Sequence, residues 1–496
     1  MRSRSVIHFV YFDIDTGFYP GTHHGLASLF AAVRAAGCDY RFTHLTRDLG
    51  EADFVELVGR SGADVFGLSA MTNQFKFVRK FAPALAAATG RPILVGGVHA
   101  TLLPQEACAV EGVTAACRGE GEIFLTRWLE AIVSGGDWRS VPGACYRDAG
   151  GLHVSAAEYP ADLDTLGAPE YDAFDMPRIL KDLGGRLSVV VSRGCPYRCA
   201  FCCNEALRMA FPRPPHYVRM RSPRNAVAMV EQLVRRHQPA SIRFEDDLLL
   251  VNPAWRREFL EQYRRCVHLP FECNCRADVV TGELADDLRR AGCASVDIGV
   301  ESGDEHIRND VLGKNISDRQ IEQAFTALHA AGLRTYSYNM IGLPFETPEM
   351  ARRTYEMNRR ISPSAGAVFY FFPYPGTQLK ALAEANNLLR DGYDEVSSYT
   401  ESISVNETHA AHRQLRAVYR KLKMYLWLRR FRTFFPLPRP LKAALAQMMW
   451  GAFCLCPPMV NVLIADTRLK RWLRRMAFRL PPPGRQACAR RDRRTP

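Results

Sequence analysis

The sequence predicts an α/β protein in three parts: an N-terminal doubly wound, Rossmann/flavodoxin-like domain, a partial (β/α)6 TIM-like barrel, and a mainly helical C-terminal extension. Strand-like and helix-like segments alternate over residues 5–135 and again over 186–385. An acidic, proline-containing stretch separates the two runs, and the alternation stops after about residue 385. We therefore place the N-terminal domain at 1–135, a linker at 136–185, the barrel at 186–385 and the extension at 386–496.

The composition is that of a globular protein in a reducing compartment. The 496 residues are 47% hydrophobic and 24% charged, which is enough for two or three domains. The 15 cysteines are spread along the chain, and residues 1–4 lead into a strand-like run instead of the apolar core of a signal peptide. These features predict a cytoplasmic location.

The net charge of +13 is concentrated at the C-terminal end. Residues 421–496 hold 18 Lys and Arg against two Asp, whereas the first 420 residues hold 47 basic and 50 acidic side chains. A nearly neutral main body argues against a nucleic-acid partner, and the basic end indicates an appended surface module.

The first domain is expected to be a parallel sheet with small residues at its carboxyl edge. Expected strands lie at 6–12, 40–44, 65–69, 93–95 and 113–117, and expected helices at 26–36, 54–60, 75–88, 102–110 and 122–133. The loops after the last three strands are rich in Gly, Ser and Thr, and doubly wound domains bind ligands at such loops. A flavodoxin-like interaction domain without a ligand is the alternative. A hairpin, 144–147 with 152–154, opens the linker.

Three cysteines, Cys195, Cys199 and Cys202, form a C-x3-C-x2-C loop directly after an apolar, β-branched run at 187–191. Each thiolate can ligate one iron of a [4Fe–4S] cluster, which leaves the fourth iron open for a substrate or cofactor. A structural zinc site is the alternative, but no second C-x2-C or H-x3-H pair follows. The adjacent Cys203 is expected to point elsewhere.

This spacing, with the aromatic Phe201 just before the last cysteine, resembles the radical S-adenosylmethionine (radical SAM) superfamily. The resemblance implies that SAM chelates the open iron and that one electron from the cluster cleaves SAM to a 5′-deoxyadenosyl radical. It also implies an external electron donor such as flavodoxin or ferredoxin.

The same resemblance implies SAM contacts at the ends of the barrel strands. Glu245 and Asp246 stand where the family commonly has G-G-E for the SAM amino group, with a solvated turn as the alternative. Arg276 ends the next strand and faces either the SAM carboxylate or a neighbouring acid. Glu301 resembles the family's ribose-contacting carboxylate, with a helix cap as the alternative. The further SAM candidates are Phe201, Ser302, Ile341, Gly342 and Pro375, the last in a turn after an aromatic strand that either walls the cavity or packs in the core.

The glycine-rich loops in front of such a cysteine loop resemble the cobalamin-binding domain of one branch of the superfamily. The D-x-H-x-x-G signature, whose histidine ligates cobalt in cobalamin mutases, is absent, so we expect cobalt without a protein histidine. His23 and His24 stand at the corresponding place and are expected to form a capping or solvated pair at a helix start. The resemblance implies cobalamin contacts from Ser69, Thr72, Gly96, Gly97, His99, Thr101, Gly119 and Glu120.

The extension has helix-like pieces at 415–435, 441–456 and 469–480, and its apolar piece is too short to span a bilayer. Its flanking Lys and Arg suit the anionic inner face of a membrane. A cap over the barrel mouth with a solvated basic face is the alternative.

Together these features resemble a cobalamin-dependent radical SAM enzyme in which methylcobalamin delivers a methyl group to an unactivated carbon of a small-molecule substrate. The aromatic strand and the basic, apolar extension favour a hydrophobic one. An anaerobic oxidative cyclase, as in tetrapyrrole ring formation, is one alternative. A non-catalytic corrinoid-binding sensor is another.

Overall fold

The computed structural model describes residues 5–14, 21–210, 217–393, 403–406, 408–434 and 438–455, and it confirms the predicted fold class. The strands and helices alternate through both large domains, so apolar runs of period two and period 3.6 were sufficient to find them. Up to the linker the elements are β1 (Val6–Phe12), α1 (His24–Ala35), β2 (Asp39–Leu45), α2 (Glu51–Gly59), β3 (Val65–Ser69), α3 (Phe75–Thr89), β4 (Ile93–Gly96), α4 (Val98–Leu102), α5 (Pro104–Ala107), β5 (Ala115–Cys117), α6 (Gly121–Ser134), β6 (Ala144–Asp148), β7 (Gly151–Val154) and α7 (Met176–Asp182).

The first sheet has the strand order β2-β1-β3-β4-β5-β6-β7 within the described residues. Strands β1 to β5 are parallel, and the order reverses between β1 and β3, which is where doubly wound sheets open a crevice at their carboxyl ends. The predicted hairpin, β6 with β7, pairs antiparallel with β5. The sheet therefore continues past residue 135, where the sequence had placed the end of the domain.

The helix expected at 102–110 is instead two short helices, α4 and α5. Leu103 leaves helical geometry, with φ −128° and ψ 59°, because the ring of Pro104 disfavours the α region in the residue before it. Pro104 then begins α5, where its missing N–H costs nothing.

The second domain is a half-barrel of parallel strands in the order β15-β14-β13-β12-β11-β8, beside a two-stranded ribbon of β9 and β10. Its elements are β8 (Arg186–Val189), β9 (Ser192–Arg193), α8 (Cys203–Ala210), β10 (Arg219–Met220), α9 (Pro223–His237), β11 (Ser241–Phe244), α10 (Pro253–Cys266), β12 (Phe271–Cys275), α11 (Gly282–Arg290), β13 (Cys293–Glu301), α12 (Asp318–Ala330), β14 (Arg334–Ile341), α13 (Pro348–Ile361), β15 (Ala365–Tyr370) and α14 (Gln378–Ala385).

The linker joins the two domains through apolar contacts. Tyr171, Phe174, Met176 and Ile179 are buried, and they belong to a hydrophobic core that extends from the first sheet into the half-barrel. Burial of apolar surface of this extent stabilises one relative placement of the two domains.

The extension begins with α15 (His409–Phe434) and α16 (Arg439–Leu455). Helix α15 packs on β15 and α13: the Tyr419 ring lies 4.1 Å from that of Tyr370, and the side chains of Leu422 and Leu426 are buried. The expected piece at 469–480 lies outside the described residues. None of the described helices combines the length and the hydropathy that a membrane span needs.

Arg308, buried at the turn between β13 and α12, offers a test of how the half-barrel is stabilised. It donates to the carbonyls of Ser302 and Ile316 at 3.0 and 2.7 Å and to Asp318 at 2.7 Å. Arg308→Met leaves these acceptors unpaired, so we expect the free energy of unfolding to fall by about 3 kcal/mol in urea titrations.

The matched control for that measurement is Arg60→Met, since the Arg60–Glu56 pair is exposed on both sides. We expect a change under about 0.5 kcal/mol there. Equal urea midpoints for the two variants would contradict the structural role of Arg308.

Candidate active site

A cavity of about 520 Å³ lies between the carboxyl edge of the first sheet and the start of the half-barrel. Both domains and the linker contribute to its wall. The lining residues used below are His23, His24, Ser69, Gly97, Thr101, Gly119, Glu120, Glu122, Tyr171, Arg193, Cys203, Asn204, Arg219, Glu245 and Asp246.

The small-residue wall predicted for cobalamin is present in part. Ser69, Gly97, Thr101 and Gly119 line the cavity, and the Thr101 hydroxyl joins the two glycine loops by donating to Gly97 O at 2.9 Å and accepting from Gly119 N–H at 3.1 Å. Gly97 has φ +103°, and a Cβ there would lie 2.6 Å from the Ala70 carbonyl oxygen. A flat, side-chain-poor wall of this kind fits a large planar cofactor.

Three of the predicted cobalamin contacts do not line this cavity. Thr72 lies in a short 3-10 turn, Gly96 ends β4, and His99 is buried with its ring stacked 3.8 Å from that of Phe75. Burial lowers the pKa of His99 to about 4. His99 is therefore a core side chain, and its apolar neighbour on α3 explains its position.

The two adjacent histidines are enclosed in the cavity wall. As expected, His23 caps α1, since its Nδ1 accepts from Leu26 N–H at 3.1 Å. His24 Nδ1 lies 2.7 Å from the Tyr171 hydroxyl, a contact from the linker that the sequence did not reveal. Burial lowers the pKa of both imidazoles to about 4, so they are neutral at pH 7.

The cysteine loop lies between β9 and α8. Arg208 of α8 holds it by donating to the carbonyls of Cys195 and Tyr197 at 2.6 and 3.0 Å. Two donors point at its sulfurs: Arg276 Nη1 lies 3.7 Å from Cys199 Sγ, and Asn204 Nδ2 lies 3.7 Å from Cys202 Sγ. Donors to sulfur stabilise thiolates, which is what a cluster requires.

The loop does not have the geometry of a single-ion site. Within the described ranges, no three His, Cys, Asp or Glu side chains come together as the ligands of one metal ion do. A [4Fe–4S] cluster makes a different demand, because each thiolate ligates its own iron. Three separate thiols on one loop fit that demand.

Cys203 is closer to the site than expected. Its side chain lines the inter-domain cavity, and a hydrogen bond from its thiol is the main cause that lowers the pKa of Cys202. The cysteine loop and the cavity are therefore adjacent.

Asp246 holds the segment that enters the cysteine loop. Its Oδ1 accepts from Val191 N–H at 2.9 Å, and from the N–H and the hydroxyl of Ser192, both at 2.5 Å. Its Oδ2 is buried without a hydrogen-bond partner, and burial raises the pKa of this carboxyl to about 7. The neighbouring Glu245 faces the cavity and accepts from Ser188 at 3.3 Å.

Arg276 and Glu301 lie on the cluster side of the half-barrel. Arg276 pairs with Asp278 through two hydrogen bonds, at 3.0 and 3.1 Å, and its guanidinium lies 3.5 Å over the Tyr197 ring. Glu301, with φ +62°, accepts from Lys314 Nζ at 2.8 Å. Of the two roles considered for Arg276, pairing with an acid is thus the one seen, and Lys314 is a neighbour that no motif indicated.

The other SAM candidates are held by protein contacts. Ser302 Oγ is fully buried and accepts from Asp304 N–H at 3.1 Å, and Gly342 N–H donates to Glu346 at 2.6 Å. Ile341 is buried, with the half-buried Phe201 packed against the same core cluster. Half-buried Pro375 lies in the turn before α14, where a Cβ on Gly376 would meet Ala206 of α8 at 3.2 Å.

The aromatic strand β15 does not wall the cavity described here. Tyr370 and Phe371 belong to the core cluster that α15 completes, so packing explains them. The sequence could not separate these roles, because both demand an apolar face.

Comparisons with known proteins agree with this geometry. The model of the radical SAM superfamily matches residues 189–357, and that of the B12 binding domain matches residues 14–127. An uncharacterized methyltransferase of Pyrococcus horikoshii is 26% identical over 374 residues, which are 74% of this chain and 79% of the relative. The anaerobic magnesium-protoporphyrin IX monomethyl ester cyclase of Rubrivivax gelatinosus is 26% identical over 347 residues, 68% of this chain and 61% of the relative.

Two solved structures share the fold over most of the chain. The radical SAM methyltransferase TsrM from Kitasatospora setae, with cobalamin and a [4Fe–4S] cluster bound, has a TM-score of 0.64 at 18% identity, covering 78% of this chain and 79% of that one. The cobalamin-dependent SAM radical enzyme OxsB, with aqua-cobalamin bound, has a TM-score of 0.65 at 14% identity, covering 96% and 79%. With both domains matched in the predicted order, the chain belongs to the radical SAM superfamily as an enzyme with an N-terminal B12-binding domain, and its cofactors are a [4Fe–4S] cluster, SAM and cobalamin.

Proposed function

We propose that this chain is a cobalamin-dependent radical SAM methyltransferase that acts on an unactivated carbon of a small molecule. The observation that carries the proposal is the adjacency of the two sites: Cys203 and Asn204 line the inter-domain cavity, while Asn204 also contacts the sulfur of Cys202. Relatives that share both domains are named methyltransferases, including the Pyrococcus protein and a cytidylyl-2-hydroxyethylphosphonate methyltransferase of Streptomyces wedmorensis.

When bound, the cluster supplies the electron that cleaves SAM, and cobalamin supplies the methyl group. The protein's own contribution is to hold and orient these groups. Cys195, Cys199 and Cys202 ligate iron, and Arg276 and Asn204 donate towards two of the sulfurs.

We also propose which residues contact SAM and cobalamin. Glu245 is supported by its position on the cavity wall, and Glu301 by its Lys314 partner close to Cys199. Ser69, Gly97, Thr101 and Gly119 are supported as the cobalamin wall by the same criterion. The side chains of Asp246 and Arg276 already serve the cysteine loop, so we assign them to positioning it.

An oxidative cyclisation is the second candidate. Two relatives, from Rubrivivax gelatinosus and Cereibacter sphaeroides, are anaerobic magnesium-protoporphyrin IX monomethyl ester cyclases, at 26% and 24% identity. Several apolar side chains of the cavity wall would suit a hydrophobic substrate.

A radical SAM enzyme also requires a reductant, and we propose flavodoxin or ferredoxin for this role.

We further propose that the basic C-terminal end contacts an anionic membrane surface. What supports this is its charge: residues 456–496, which lie outside the described residues, hold eleven Lys and Arg against two Asp.

The cluster assignment is tested by cysteine substitutions in anaerobically reconstituted protein. Cys199→Ala should lose bound iron and sulfide and reduce 5′-deoxyadenosine formation to background, because two thiolates cannot hold the cluster in place. Cys203→Ala should keep its iron content, since Cys203 is not a ligand. The matched control is Cys266→Ala, an exposed cysteine on α10. Normal SAM cleavage by Cys199→Ala would contradict the assignment.

Methyl transfer and cyclisation are separated by the SAM products. With a candidate substrate and methyl-deuterated SAM, a methyltransferase should release S-adenosylhomocysteine together with 5′-deoxyadenosine and place the label in the product. A cyclase should give 5′-deoxyadenosine alone and an unlabelled, oxidised product. Mass spectrometry distinguishes the two, and the second pattern would overturn the proposal of methyl transfer.

The membrane contact is tested by truncation after residue 455, which spares α15 and its buried contacts. Removal of 456–496 should abolish cosedimentation with vesicles that contain anionic lipid and leave SAM cleavage unchanged, because eleven cationic side chains are lost. Cosedimentation equal to that of the full chain would rule the contact out.

A further inference from the structure

Two arginines of the ribbon beside the cysteine loop point from the half-barrel towards the B12-binding domain. Arg193 on β9 and Arg219 on β10 are directly paired across the antiparallel ribbon. Like charges opposite each other destabilise a strand pair unless counter-charges lie between them. The counter-charges come from the other domain.

Glu120 and Glu122, at the start of α6, receive both arginines. Arg193 Nη1 lies 2.5 Å from Glu120 Oε2, and its Nη2 lies 2.6 Å from Glu122 Oε1. Arg219 pairs with the other oxygen of Glu120 and donates to Pro160 O at 2.6 Å. Ser28 of α1 donates to Glu122 Oε1 at 2.6 Å. We call Ser28, Glu120, Glu122, Arg193 and Arg219 the inter-domain clamp.

The clamp is largely shielded from solvent. The side chains of Glu122 and Arg219 are 5% and 7% exposed, and those of Glu120 and Arg193 are 18% and 24% exposed. Burial alone would raise the pKa of Glu122, but Arg193 and Ser28 hold it below its usual range. The two glutamates and the two arginines balance in charge. The bidentate contact fixes the orientation of the guanidinium as well as its distance from the carboxylate.

Arg193 of the clamp leads directly into the cysteine loop. Arg193 stands two residues before Cys195, and Ser192 is fixed by Asp246. Gly194, between Arg193 and Cys195, has φ +82°, and a Cβ there would lie 2.6 Å from Tyr217 O, so this turn requires glycine. Because only this residue separates Arg193 from Cys195, a displacement of the Arg193 backbone is passed on directly to the cysteine loop.

All five residues of the clamp line the cavity assigned to cobalamin. Glu120 and Glu122 follow the third glycine-rich loop and line that cavity. Glu120 was predicted to contact cobalamin, but both of its oxygens are engaged by arginines. The carboxylates that hold Arg193 are therefore part of the wall that a group bound in the cavity would contact.

We propose that Glu120, Glu122 and Arg193 are positioning residues that couple occupancy of the cobalamin cavity to the geometry of the iron–sulfur loop. The B12-binding domain then sets how the cluster presents its open iron to SAM. The inference rests on the cofactors and not on methyl transfer, so it applies equally if the product is a cyclised one.

The test compares cobalamin-free and cobalamin-loaded full-length protein with a reconstituted, reduced cluster. The readouts are the electron paramagnetic resonance spectrum of the cluster and the SAM concentration that half-saturates its SAM-dependent change. In the wild type, cobalamin should shift the spectrum and lower the half-saturating SAM concentration by about tenfold. A change of this size is typical of the coupling between two binding sites. In Glu122→Gln the two titrations should coincide within about twofold, while iron content stays the same.

Glu158→Gln is the matched control, since it removes a carboxylate from an exposed pair with Arg127 in the same part of the chain. It should retain the full tenfold coupling. Arg193→Lys, which keeps the charge but not the two-pronged contact, should retain part of it. If Glu122→Gln does not assemble its cluster, Ser28→Ala is the milder variant and should reduce the coupling two- to threefold.

Two results would overturn the proposal. One is a wild-type cluster whose spectrum and SAM titration do not respond to cobalamin. The other is full coupling in Glu122→Gln or, where that variant lacks its cluster, in Ser28→Ala. Failure of methyl transfer would leave both measurements intact, so the two proposals fail separately.

Discussion

The fixed backbone of residues 191–195 is the constraint on which the site depends. Asp246 receives three hydrogen bonds from Val191 and Ser192, and two glutamates of the other domain receive Arg193. A loop that must offer three thiolates to one cluster gains from such anchoring, because the cost of ordering its backbone is met before the cofactor arrives. Carboxylates suit this task, since each accepts several N–H groups at once.

The anchoring places acidic groups in a cavity wall that also contains neutral histidines. Glu120 and Glu122 are neutralised by arginines, whereas His23 and His24 are uncharged through burial. This part of the wall therefore carries little net charge. On the half-barrel side of the cavity, Glu245 and Asp246 add carboxyl groups, and Asp246 Oδ2 is buried there without a hydrogen-bond partner.

Much of the fold was predictable, because local pattern decides it. The runs at 6–12 and 65–69 were expected at the bounds at which strands β1 and β3 occur. The helix expected at 102–110 was wrong because of the local effect of Pro104, whereas the end of the first domain was misplaced because tertiary contacts decide it. The hairpin at 144–154 pairs with β5, a choice made by the small, buried residues of that edge and not by the hairpin itself.

The site was predictable to the extent that it has a motif. The cysteine loop follows from spacing alone, whereas Arg193 and Tyr171 act through partners that are distant in sequence. Asn204 and Lys314 have nearer partners, but no motif marks them. His99 and Ser302 stand in motifs of the resemblance, and here the His99 ring stacks on Phe75 while Ser302 Oγ accepts from Asp304 N–H. A single sequence records which residues are present but not which of them meet.

The packing of α15 on β15 has a consequence for biosynthesis. Until residues 409–434 leave the ribosome, the last strand of the half-barrel has no helix over it, and its apolar side chains Val368 and Tyr370 have no cover. A nascent chain in that state is open to pairing with other chains. Folding of the half-barrel is therefore completed only after α15 has been synthesised.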